Sequence, residues 1–203
     1  ENYRTYLERM FVDKLLERFQ DLKSTNGGLE IIAEYNLSEK VKELADLLRH
    51  KISVIEEMQF ILSHGDMCFS NILYSPQTQN LKFIDPRGAA SAEDIFGAIY
   101  YDLAKLCHSI YGQYDLIIND VPRNHKLDSL YESMQICFRA WVEKRGWDFA
   151  FLRLCEASLF FSKLSFHGKR PDHVRLQIQS GLRAMKEGSE FWTKKRPADN
   201  SER

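Results

Sequence analysis

Residues 62–88 read LSHGDMCFSNILYSPQTQNLKFIDPRG, and this stretch decides how the rest of the chain is read. His64-Gly65-Asp66 opens it, Asn71 follows five residues after Asp66, and Asp85 closes the apolar run 81–84. The order implies a polar loop, a strand over 72–74, a turn over 76–80 and a second strand over 81–84. Pro, Gln and Asn crowd the turn, as they do in hairpin connections. Such a hairpin carries Asn71 at one end and Asp85 at the other. Its open strand ends lie side by side, so an amide and a carboxylate converge near Asp66.

That grouping suits phosphoryl transfer. The chemistry needs a carboxylate to orient a hydroxyl and take its proton, and oxygen ligands that hold Mg²⁺ against phosphates. H-x-D-x-x-x-x-N has the spacing of a kinase catalytic loop, which makes Asp66 the candidate base and Asn71 and Asp85 the candidate metal ligands. His64 is read as a residue that packs and hydrogen-bonds to hold the loop, neither base nor metal ligand. Nothing near Cys68 argues for a thiolate nucleophile.

HGD-x-x-x-x-NIL followed by Ile84-Asp85-Pro86 resembles the aminoglycoside phosphotransferase and choline kinase superfamily, small-molecule kinases with a protein-kinase-like fold. Gly65 within the loop, and IDP where protein kinases carry DFG, resemble that branch. Tyr101-Asp102-Leu103-Ala104 resembles the family's D-[LI]-A segment, whose aspartate braces the catalytic loop from a helix. The resemblance rests on residues 60–106. It implies an α+β, predominantly α-helical fold, a protein-kinase-like large lobe whose short β-hairpin carries the catalytic and metal-binding residues. It also implies Mg²⁺ and ATP or another NTP as cofactors, with a small-molecule hydroxyl as acceptor: a sugar, an amino alcohol or an aminoglycoside-like compound.

Composition limits the alternatives. The 203 residues suffice for one domain with a real core, and 44% hydrophobic with 28% charged residues is ordinary for a globular protein. A net charge of −1 from 28 basic and 29 acidic residues gives no support for nucleic-acid binding or a polybasic membrane patch. No stretch has the ~20 apolar residues of a membrane helix. Cys68, Cys107, Cys137 and Cys155 show no CxxC spacing, which reads as a reduced, cytoplasmic protein. His50, His108, His125, His167 and His173 lack metal-ligand spacing.

In chain order, residues 3–22 have helical period. Tyr3, Leu7, Met10, Phe11, Leu15, Phe19 and Leu22 form one face, with Arg4, Glu8, Lys14 and Arg18 turned away. Ser24 to Gly28 ends it, and Ser38 is expected to cap a second helix striped by Val41, Leu44, Leu48, Ile52 and Ile55. Residues 60–62 read as a short buried strand, and 97–110 as a largely buried helix carrying Asp102. Residues 127–142 form an amphipathic helix stopped at Gly146, and 149–166 a helix apolar nearly all round, central to the domain. Pro171 starts a last helix, with Lys194-Lys195-Arg196 in a polar tail. Arg87, two residues past Asp85, is a candidate contact for a phosphate or an anionic substrate, or else an ion-pair partner for Glu93 or Asp94. Trp141, Trp147 and Trp192 could form an aromatic wall for a cationic acceptor, although core packing explains them more simply.

The residues before Phe60 read as helices and contain neither G-x-G-x-x-G nor a V-A-I-K-like strand, the parts that clamp ATP in kinases. The expectation is therefore a single domain over 1–203, a C-terminal lobe cut from a longer protein whose small lobe lies upstream. A non-catalytic kinase-like binding or scaffolding module, and a metal-dependent hydrolase using Asp66 and Asp85, are the rival readings.

Overall fold

Three consecutive residues, Met10, Phe11 and Val12, are buried near the N-terminus. A regular 3.6-residue period cannot place all three on one stripe. The computed structural model, which describes residues 2–88, 95–167 and 170–195, resolves this with a wider turn. Helix α1 (Tyr3–Glu8) passes into a π-helical turn over Arg9–Asp13 and on into α2 (Lys14–Lys23). Asn2 caps the run by accepting from the Thr5 N–H at 2.8 Å. The π turn shifts the phase of everything after it. Lys14, expected to face away from the core, is half-buried, like Arg4, Glu8 and Arg18 of the same face, and lines a cleft with Asp66 and Asp85.

A short helix α3 (Gly28–Glu34) and then α4 (Leu37–Val54) follow. The cap of α4 is Asn36, in the left-handed region at φ +50°, so Ser38 lies inside the helix rather than capping it. Asn tolerates that conformation better than other non-glycine residues. The stripe Val41, Leu44, Leu48 and Ile52 is buried as the pattern implies, whereas Ile55, the last residue expected on it, is the extended C-cap and only half-buried.

Two antiparallel ribbons supply the β structure. Strand β1 (Ile61–Leu62) pairs with β4 (Phe96–Gly97), with Ile61 opposite Gly97. Strand β2 (Ile72–Ser75) pairs with β3 (Asn80–Phe83), with Ile72 opposite Phe83 and Ser75 opposite Asn80. The hairpin stands where the sequence places it, but β1 is not buried, since Leu62 is 71% exposed. A two-stranded ribbon covers only one of its faces, so its outer side chains meet solvent. Gly97 belongs to β4, and α5 (Ile99–Ile110) begins two residues later than expected.

The remaining helices are α6 (Tyr114–Ile118), α7 (His125–Lys144), α8 (Phe149–Lys163) and α9 (Pro171–Lys195), the last continuing through the residues read as a polar tail to Lys195. Arg196 lies outside the described residues. Asp148 caps α8 by accepting from the Phe151 N–H at 3.0 Å. Every residue of α8 from Phe149 to Ser162 is buried, as expected of a central helix, and α2, α4, α5 and α9 pack around it. The two charges within that buried stretch are paired: Arg153 meets Glu156 and, at 3.0 Å, Glu187 of α9. Lys51 of α4 meets the cap residue Asp148 at 2.8 Å. The result is a predominantly helical α+β fold around one apolar cluster. Among the described residues no helix is long and apolar enough to cross a membrane.

Candidate active site

Asp102 sits at the start of α5, 3% exposed. A buried carboxylate needs hydrogen-bond donors, and the loop supplies them. Asp102 Oδ2 accepts from the His64 N–H at 2.8 Å and from the Ser63 hydroxyl at 3.0 Å. Its Oδ1 accepts from the Gly65 N–H at 2.7 Å. One side chain of α5 thus fixes three consecutive residues of the loop that carries Asp66.

His64 ties the same loop to the hairpin. Its Nε2 donates to the Ile84 carbonyl at 3.0 Å, while its Nδ1 accepts from the Asp66 N–H at 3.3 Å. Those partners require the neutral ring with its proton on Nε2. The His64 carbonyl accepts from the Arg87 N–H at 2.8 Å. Gly65, at φ +74°, lies so close beneath Arg87 that an added Cβ would stand 2.6 Å from the Arg87 Cβ. Any larger residue is excluded both by conformation and by space.

The hairpin brings the two candidate ligands together. The Ile84 N–H donates to the Asn71 carbonyl at 3.0 Å, extending the β2–β3 ladder by one step, so Asp85 leaves the ladder beside Asn71. Asp85 is exposed and holds φ +54°. A non-glycine residue in that region is a local strain often found at functional sites. The Asn71 amide nitrogen donates to the Asp66 carbonyl at 2.9 Å and to Asp66 Oδ2 at 3.3 Å. The side-chain nitrogen is thereby engaged within the loop, and no hydrogen bond to the side-chain oxygen, Asn71 Oδ1, forms among the described residues.

The other oxygen of Asp66 faces a cation that the motif does not announce. Lys105, one turn along α5 from Asp102, is 7% exposed and places its Nζ 2.6 Å from Asp66 Oδ1. Burial works to raise the Asp66 carboxyl, but the ammonium of Lys105 and the amide of Asn71 together hold it below the usual carboxylate range. Burial likewise works against the charge on Lys105, and Tyr101 and Asp66 beside it outweigh that and keep it above the ordinary lysine value. Asp66 is therefore ionised at neutral pH, with its two oxygens divided between Asn71 and Lys105. A lysine three residues after Asp102 within an apolar helix was the available signal, because i and i+3 share a helix face.

An open cleft of about 280 Å³ lies over this arrangement, lined by Lys14, Gly65, Asp66, Asp85, Arg87 and Tyr101 among others. Burial, with Arg87 and Lys105 near by, pulls the Lys14 ammonium down to about 8. Glu93 and Asp94, the alternative partners for Arg87, lie outside the described residues. The aromatic wall is not built here. Trp141 and Trp147 meet edge to face at 5.1 Å near the end of α7, under Arg145, and neither lines the cleft; the Trp192 side chain lies outside the described residues.

Among the described residues no three His, Cys, Asp or Glu side chains gather to form a metal cage. The donors present are two oxygens, the Asn71 amide carbonyl and the Asp85 carboxylate. That set is too small for a protein-only site. It fits a hard cation that keeps waters and takes the rest of its shell from a phosphorylated ligand, as Mg²⁺ does. No family model, curated protein or solved structure matches this chain.

Proposed function

We propose that this chain carries the catalytic half of an ATP-dependent phosphotransferase acting on the hydroxyl of a small molecule, in a kinase-like large lobe. One observation carries the reading. Asp66 stands ionised between Asn71 and Lys105, next to the ladder end that presents Asp85. A base, two oxygen ligands and a cation within one loop and one hairpin are the parts that in-line phosphoryl transfer uses.

In this reading Asp66 Oδ2 and Oδ1 keep their present neighbours while the carboxylate accepts a hydrogen bond from the acceptor hydroxyl. That oxygen bonds to the γ-phosphorus as the bond from phosphorus to the β,γ-bridging oxygen breaks; the hydroxyl proton passes to Asp66 and ADP leaves. A Mg²⁺ ion held by Asn71 and Asp85 would offset charge on the phosphate oxygens. A carboxylate with a lowered pKa is a weak base, so its main contribution is to orient the hydroxyl and receive the proton late. Leu62 and Phe96, opposite one another on the β1–β4 ribbon, are both exposed, and such an apolar pair suits contact with a nucleotide base or a covering small lobe.

The test is label transfer. The protein is incubated with Mg²⁺ and ATP labelled at the γ-position, with pools of sugars, sugar acids, sugar phosphates and amino alcohols. The reading predicts label in an organic phosphate, lost in Asp66→Asn. Label appearing only as inorganic phosphate would favour a hydrolase, and no label movement in any pool, even with small-lobe sequence supplied, would favour the scaffold.

A further inference from the structure

Around Asp66 the cations outnumber the carboxylates. Lys105 and Lys163 lie near Asp66, Lys14 and Arg87 line the cleft with Asp66 and Asp85, and each acid already has an assignment in the reading above. Lys105 neutralises Asp66 directly. Lys163 leans on the Tyr114 hydroxyl at 3.3 Å and its ring at 4.5 Å. Lys14 and Arg87 have no ion-pair partner among the described residues, and both line the cleft. Glu17, one turn along α2, offsets the charge of Lys14 only in small part. A half-buried ammonium with no carboxylate paired to it, beside a guanidinium, is unfavourable by itself, and such unfavourable charge is characteristic of ligand sites.

We infer that Lys14 and Arg87 form a subsite for an oxyanion on the acceptor, so that the phosphorylated compound is an acidic hydroxyl compound, a sugar acid or sugar phosphate, rather than a neutral sugar or a cationic amino alcohol. The inference rests on the phosphotransferase reading for its second half only. The cleft opens on Asp66, proposed above to receive the acceptor hydroxyl, and is lined by Asp85 but not by Asn71, so the experiment below separates the acceptor from the γ-phosphate as the source of the anion. A hydroxyl approaching Asp66 through that cleft brings its neighbouring substituents against Lys14 and Arg87. An acidic substituent there pairs with a planar, bidentate guanidinium on one side and a point charge on the other.

The experiment measures binding of D-gluconate, D-glucose 6-phosphate, D-glucose and choline by ligand-observed NMR. It is run without nucleotide and again with Mg²⁺ and a non-hydrolysable ATP analogue, which fills the γ-phosphate position. At least one anionic probe should bind tenfold or more tighter than glucose and choline, in both conditions. Lys14→Met should weaken that probe at least tenfold, Lys14→Arg should restore it, and affinity for the Mg²⁺–nucleotide analogue should stay within about twofold. Lys14→Met keeps the apolar stem, and an unchanged melting curve or a higher one shows that the variant is folded. The inference is overturned if neither anion binds, if glucose or choline binds as well as they do, or if the nucleotide analogue displaces the anion and Lys14→Met weakens both. The last outcome would give the two cations to the γ-phosphate. Anion binding with no nucleotide binding at all would leave the oxyanion subsite standing and remove the phosphotransferase reading instead.

Discussion

Replacing Asp102 by alanine should unfix the loop that carries Asp66. The side chain accepts three hydrogen bonds, from the His64 N–H at 2.8 Å, the Gly65 N–H at 2.7 Å and the Ser63 hydroxyl at 3.0 Å. The Ser63 hydroxyl can turn to another partner, but the two main-chain N–H groups cannot. Each buried donor left unpaired costs about 1–3 kcal/mol, so two give roughly 2–6 kcal/mol. A chain of this size loses about 2–4 °C per kcal/mol, so the melting temperature should fall by roughly 5–20 °C. Urea denaturation of Asp102→Ala should give the same slope as wild type and a lower midpoint, which assigns the change to stability and not to compactness. Amide exchange adds a local readout, because the His64 and Gly65 N–H groups should lose protection beyond the global change. Asp102→Asn retains one acceptor oxygen and should fall between wild type and Ala. A loss for Asp102→Ala below about 0.5 kcal/mol would be an ordinary surface effect and would refute the bracing role.

The bracing carboxylate was legible because a single acid stood in an otherwise apolar helix, where only a partner makes it tolerable. The loop and the hairpin were legible for the same reason: His64, Asp66, Asn71 and Asp85 stand as spaced polar residues in an apolar frame. Lys105 was overlooked although it shares a helix face with Asp102, because the motif that points to the loop ends at Ala104. Lys14 reads in the sequence as one of the charges turned away from the core, with no sign that it lines the cleft over Asp66. Its direction depends on a π-helical turn, which packing of Met10, Phe11 and Val12 selects and no local propensity encodes. The entries to α4 and α6 follow the same rule, since Asn36 and Gln113 take positive φ without being glycine. The exposure of β1 depends on how many strands its ribbon has, which two residues cannot show.

Other consequences follow from the charges around the site. Lys105→Met removes the cation that holds the Asp66 carboxyl down, so an NMR titration of that carboxyl should show a higher midpoint than wild type. Since the wild-type value lies below that of the unfolded chain, the pair stabilises above the unfolded value, and the benefit is lost as pH falls through the folded one. The variant should lose roughly 1–3 kcal/mol at pH 7, below the full cost of breaking a buried pair because Asp66 is 39% exposed. Lys14→Met should have the opposite sign. Lys14 is held down from 10.5 to about 8, so the folded state binds its proton less well than the unfolded one and wild-type stability rises between those values. Removing the charge should stabilise by about 1–2 kcal/mol after allowance for solvent screening, in full below pH ~8 and fading toward pH ~10.5. A melt of this variant unchanged at pH 7 would show that Lys14 is well solvated.

The central claim is that Asn71 and Asp85 hold a divalent ion only together with nucleotide phosphates, while Asp66 serves the hydroxyl. Paramagnetic relaxation with Mn²⁺ in place of Mg²⁺ tests this without knowledge of the acceptor. Titrations are run with and without ADP on wild type, Asp85→Asn and Asp66→Asn. The account predicts weak Mn²⁺ binding alone, clearly tighter binding with ADP, loss of that gain in Asp85→Asn and its retention in Asp66→Asn. Tight Mn²⁺ binding that ignores ADP, or a nucleotide-dependent gain that survives Asp85→Asn and vanishes in Asp66→Asn, would contradict it.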